Sequence, residues 1–301
     1  MEKTPRISSA TRRLAEALLK IAVTLLCIWY VSGRIDLARA GTALEKAKWP
    51  YLFPALLAFI ISKMIAAVRL NIFFRDIRID LSQGETIRLY WLGMFYNLFL
   101  PGSISGDAYK VILLTKKFGV PYRDTTAAVL LDRFSGLLGL GLLLALYSFM
   151  VPLPAAYPGG LTAAAGLSLP AFYFILKKYF PKFAPGFRPG LLLGILVQLA
   201  QVICIYLLMA ALDVPASTTA FIFLFLVSSA VSVLPLTIGG LGIRELVFLK
   251  GAAYFGMVAE TAVLISLLFY LVNLLASAWG GIYIFKRPLN EKGPSDEPLI
   301  F

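Results

Sequence analysis

Six side chains able to carry charge or donate and accept hydrogen bonds interrupt otherwise apolar or glycine-rich stretches: Asn97, Asp107, Lys110, Arg133, Arg244 and Glu245. Arginine's planar fork donates two parallel hydrogen bonds and suits a phosphate. Arg133 and Arg244 are therefore the candidate phosphate contacts. Asp107 and Glu245 would balance them in an empty site or meet a cationic moiety. The sequence has no histidine, which removes histidine general bases, Ser-His-Asp triads and imidazole metal sites. Cys27 and Cys204 both lie in apolar runs and read as packing residues. No G-x-x-x-x-G-K-[ST] phosphate loop is present, and no cofactor is expected.

Each of these residues has a purely structural alternative. Asp132 and Arg133 would form a local ion pair that locks two helices, and Arg244 with Glu245 would only cap a helix. Asn97 would be a helix–helix hydrogen bond. Lys63 and Arg69 are expected to snorkel toward an interface.

The candidates cluster around helix breakers. Pro101, Gly102 and Gly106 precede Lys110, and Pro235, Gly239, Gly240 and Gly242 precede Arg244. The two stretches align without a gap at an offset of 134 positions (101 against 235), with proline, a hydroxyl residue, isoleucine, glycine and a terminal cation in shared columns. A broken apolar segment at matching places in two halves is the best sequence pointer to a transporter's binding site. The glycines let backbone N–H groups and helix ends approach an anion.

The elements around the breaks are membrane helices. The 301 residues are 59% hydrophobic and only 15% charged, more apolar surface than a soluble fold can bury. Apolar runs predict six spanning helices at about 14–32, 50–74, 125–150, 161–176, 190–212 and 258–285. The two broken segments, about 89–110 and 217–256, would be re-entrant hairpins. With a cytoplasmic N-terminus, this arrangement puts 19 lysines and arginines inside and 4 outside; full spans at both breaks would give 11 against 12. The positive-inside rule prefers the hairpins and places both termini in the cytoplasm.

The expected fold is thus all-α: a polytopic helical membrane protein with six spanning helices and two opposed hairpins. It forms a single transmembrane domain over residues 1–286, with an inverted repeat of about 50–150 on about 190–285 and a disordered tail at 287–301. A charged side chain at the bilayer centre costs roughly 2.5–3.5 kcal/mol, so Asp107, Arg133, Arg244 and Glu245 together would cost about 10 kcal/mol unpaired and should face a polar cavity or each other. The basic loops set topology and touch anionic lipid; no nucleic acid is expected as a partner.

The pattern Asn97-x-x-Leu100-Pro101-Gly102-x-x-x-Gly106-Asp107-x-x-Lys110, then Leu131-Asp132-Arg133, then Pro235-x-x-x-Gly239-Gly240-Leu241-Gly242-x-Arg244-Glu245 resembles the lysylphosphatidylglycerol synthase transmembrane, or flippase-like, family. The resemblance covers nearly the whole chain. Ser105 and Ile238 depart from the family's usual glycine and proline. The chain ends about 15 residues after the last expected helix. The resemblance therefore implies lipid handling without lysyl transfer: translocation of a phospholipid, expected to be anionic, across a bacterial-type inner membrane. It makes the residues of both breaks a headgroup site and allows a homo-oligomer or a separate lipid-modifying enzyme as partner. No catalytic residue is assigned. An ion-coupled transporter of a small anionic solute, an intramembrane lipid-phosphate transferase and a scaffold for lipid synthesis remain alternatives.

Overall fold

In the computed structural model, residues 9–99, 105–214, 218–234, 236–286 and 288–289 are described, all other residues being set aside. The described chain is helical: α1 Ser9–Ser32, α2 Leu37–Glu45, α3 Leu52–Asp76, α4 Gln83–Phe99, α5 Ser105–Phe118, α6 Tyr122–Ser148, α7 Ala156–Tyr179, α8 Phe187–Ala211, α9 Thr218–Val231, α10 Ile243–Phe255, α11 Ala259–Ala278 and α12 Ile282–Phe285. Among the described residues, five stretches are long and apolar enough to cross a bilayer: Trp49–Asp76, Tyr122–Ser148, Ala156–Tyr179, Phe187–Ala211 and Ala259–Phe285. Leu18–Ser32 of α1 taken together with α2 makes a sixth, the two meeting at 88°.

α2 falls where a loop is expected. Asp36 starts it, its Oδ1 accepting the N–H groups of Ala38 at 2.9 Å and Arg39 at 3.2 Å. An aspartate that satisfies otherwise unpaired first-turn donors is a common helix start, and it is the signal that reading of residues 33–49 passed over.

α4, α5, α9 and α10 hold 17, 14, 14 and 13 residues. Each is shorter than the roughly 20 residues that a crossing requires. They pack as two pairs, α4 on α5 and α9 on α10. The pairs occupy equivalent environments. α3 packs on α4 as α8 packs on α9; α4 meets α11 as α9 meets α6; α5 meets α6 as α10 meets α11. α3 against α8 is the central contact. α7 lies outside, against α6, and α1 lies against α10. Large apolar side chains on these outer helices are exposed, among them Leu19, Leu26 and Trp29 on α1 and Leu167 and Phe174 on α7. A surface of that kind belongs against lipid.

Two apolar clusters fill the interior. One joins Ala55, Phe59, Leu140, Leu208, Phe225 and Phe269; the other joins Leu70, Phe73, Phe74, Leu89, Leu114 and Phe183. α3, α6 and α8 each also carry buried or half-buried polar side chains: Lys63 and Arg69, Asp132 and Arg133, and Gln198 and Gln201. Leu289 is buried in the second cluster, while 287 and 290–301 of the expected tail lie outside the described residues.

Candidate functional site

Those polar side chains of α3, α6 and α8 open onto one cavity of about 380 Å³. α3, α4, α5, α6, α8, α10 and α11 line it, together with the end of α9 and the second break. α3 contributes Lys63 and Arg69, α5 contributes Asp107 and Lys110, α6 contributes Asp132 and Arg133, and α10 contributes Arg244. Among the described residues, five cations therefore face two carboxylates, an excess of three positive charges.

The pairing inside the cavity is not the one that sequence neighbours suggest. Asp132 Oδ1 accepts from Arg69 Nε at 2.7 Å, with both side chains almost fully buried. Asp107 holds two cations: its Oδ1 accepts from Lys110 Nζ at 2.9 Å, and its Oδ2 pairs with Arg133 Nε. The Asp132–Arg133 pair anticipated within α6 is thus replaced by two longer-range pairs, one to α3 and one to α5. Arg133 keeps 37% of its side chain exposed, because it opens into the cavity. α6 begins at Tyr122, which sets Arg133 eleven residues in, about 16 Å along the axis, deeper than a start near 125 implies.

Lys63 and Arg244 are different. Among the described residues, no carboxylate lies within ion-pair distance of either. Lys63 Nζ sits 4.5 Å from the centre of the Phe59 ring. Arg244 donates from Nη1 to Ser229 Oγ at 3.3 Å, and its guanidinium lies 5.2 Å from the centre of the Phe269 ring. Aromatic faces partly offset a buried cation but do not neutralise it. Both nitrogen groups therefore remain available to an anion.

A sequence model of the family described as Lysylphosphatidylglycerol synthase TM region matches residues 17–280. The chain belongs to that family. The matched range includes every residue around the cavity. This lysylphosphatidylglycerol synthase TM-region protein is also similar to a UPF0104 membrane protein of Pyrococcus horikoshii, 29% identical over 115 residues. That alignment covers 38% of this chain and 33% of the relative, so the chain spans about a third of that protein's length.

The other expected site residues of this family member separate into lining and support. Asn97, Gly239 and Gly240 line the cavity. Asn97 also ties the first pair together, its Oδ1 accepting the Gly106 N–H at 2.9 Å. Gly106 itself is a contact residue: a Cβ there would collide with the Gly93 backbone on α4. Lys110 is buried beneath the Tyr90 ring and faces the cavity. Gly242, φ 88°, starts α10 and packs against Cys27 and Thr24 of α1. Glu245 is a buried cap behind the site, accepting from Gly242 N at 2.5 Å and from Ser266 Oγ at 2.7 Å. Pro101, Gly102 and Pro235 lie outside the described residues.

Sequence reasoning missed Lys63 and Arg69, which turn inward rather than snorkel. Their spacing of six turns them about 120° apart around α3, so no single-face periodicity marked them, and only the packing of the helices brings both to the cavity.

Proposed function

We propose that this membrane protein binds the phosphate of an anionic lipid headgroup in the central cavity and translocates the lipid between leaflets. The observation that carries the reading is the uncompensated pair Lys63 and Arg244 in a cavity with three excess positive charges. A buried charge without a partner is costly in an apolar protein, so its natural complement is an anionic ligand. The family's name, which ties it to a phospholipid enzyme, supports lipid over solute. In this reading the short pairs α4–α5 and α9–α10 are re-entrant hairpins of an inverted repeat, entering from opposite faces of a bacterial-type inner membrane with both termini cytoplasmic. Discontinuous helices meeting at mid-depth suit alternating access. No covalent step is assigned.

Arg244→Lys tests the assignment. Lysine keeps the charge but loses the planar fork. Scrambling of labelled anionic lipid in proteoliposomes should fall at least about tenfold, the loss expected for one charge-assisted contact of 1.5–3 kcal/mol, while thermal unfolding stays near the parent's. Full transport by this variant, or a transport loss that merely follows loss of folded protein, overturns the role of Arg244. Transport of a soluble anion in place of lipid would favour the solute carrier.

A further inference from the structure

We infer that the cavity selects a phosphomonoester over a phosphodiester or an amine-bearing headgroup, an inference that rests on the anion-binding reading above. The argument is one of charge and valence at named positions.

The two lining carboxylates are already committed. Asp107 holds Lys110 and Arg133, one on each oxygen, and Asp132 holds Arg69. An ammonium on a headgroup would find no uncommitted carboxylate there and would meet a field of excess positive charge. Headgroups carrying choline, ethanolamine or a lysyl group are therefore disfavoured.

What remains open is Lys63 and Arg244. Lys63 lies within electrostatic reach of both Arg244 and Arg69, so the two uncommitted groups repel each other while the cavity is empty. Glu245, buried next to Arg244 in the chain but turned to the α10 start, is the third carboxylate of the region. It does not line the cavity, so the lining keeps its excess of three positive charges, two of them on the unpaired Lys63 and Arg244. A phosphodiester brings one negative charge on two free oxygens. A phosphomonoester brings up to two charges on three free oxygens, with a second pKa near 6 that leaves it largely dianionic at neutral pH. Three oxygens can accept from the Arg244 fork and from Lys63 at once. The serine and asparagine lining, including Ser229 and Asn273, offers further donors without adding charge.

The same anion could be carried on a lipid or in water, and the test separates the two. The full-length protein in phosphatidylcholine nanodiscs, at about pH 7.5 where a phosphomonoester is mostly dianionic, is titrated with phosphatidic acid, phosphatidylglycerol, phosphatidylethanolamine and glycerol 3-phosphate, with binding and thermal shift both measured. Phosphatidic acid should bind roughly tenfold tighter than phosphatidylglycerol, the difference one more charge-assisted contact makes, and phosphatidylethanolamine should not bind measurably. Lys63→Gln and Arg244→Gln should each lower phosphatidic acid to the level of phosphatidylglycerol. Lys63 has no ion pair to lose, so its variant should fold even if the second does not. Equal binding of the two anionic lipids to the parent protein overturns the phosphomonoester preference and leaves the anionic-lipid reading standing. Binding of neither overturns both. Glycerol 3-phosphate matching phosphatidic acid keeps the phosphomonoester and removes the lipid.

Discussion

Side chains at successive helix positions point about 100° apart, so Asp132 cannot comfortably face Arg133 and each looks to a different neighbour. Asp132 turns to Arg69 of α3 and Arg133 to Asp107 of α5. The first pair is the more buried, and it should matter more for stability. Removing one partner of a buried pair leaves the other charge stranded, which costs about 3–5 kcal/mol, whereas replacing both by apolar residues of similar volume is often neutral. Asp132→Leu alone should therefore lower the unfolding midpoint in detergent strongly, and Arg69→Met with Asp132→Leu should recover most of that loss. A double variant no better than the single would show that Arg69 is held chiefly by other contacts. Arg133→Leu should cost less, because its guanidinium opens into the cavity.

At the scale of the element, the pair α4–α5 and two other crossings depend on backbones that touch. A Cβ on Gly106 would collide with Gly93, one on Gly139 with Gly194, and one on Gly280 with Trp91, in each case against main chain that has little freedom to move. Small residues at such crossings let membrane helices approach closely where no hydrophobic driving force separates protein from lipid. Gly106→Val should force α4 and α5 apart. It should break the Asn97–Gly106 hydrogen bond and displace Asp107, costing more than the usual 1–3 kcal/mol of overpacking, roughly, because the obstacle is backbone. Gly159→Ala on α7 meets nothing within 4 Å and is the control. Thermal unfolding of the two variants side by side checks this; equal midpoints would dissolve the importance of the crossing. The second break uses glycine differently. Gly239, Gly240 and Gly242 all have φ between 61° and 88°, a region that L side chains avoid, so the chain can reverse direction tightly before α10.

For the whole molecule, orientation follows from the charge of the loops. The segment around Lys116 is expected on the cytoplasmic side and Tyr157 on the outer side; both are exposed. Single cysteines at these two positions, in a background where the buried Cys27 and Cys204 are replaced, should label from opposite faces of right-side-out vesicles. Lys116 should label from the cytoplasmic face; its labelling from the outer face, with Tyr157 from the inner one as full spans at the breaks would give, would remove the hairpin arrangement and the inverted repeat with it.

Composition and loop charge were enough for the class: an all-helical membrane protein whose long apolar runs at α3, α6, α7, α8 and α11 are legible because each helix satisfies its own backbone groups within one segment. The glycine turn of the second break was legible too, since glycine disrupts helices locally wherever it stands; residues 100–104 of the first lie outside the described residues. Partner choice was not. Whether Lys63 snorkels or turns inward, whether Lys110 lies under Tyr90, and whether Arg133 meets Asp132 or Asp107 all depend on which faces α3, α5, α6 and α8 bring together. Those are contacts between residues tens of positions apart, set by packing that no local window of sequence contains. The three excess charges of the cavity exist only once seven helices, a helix end and a broken turn surround the same space.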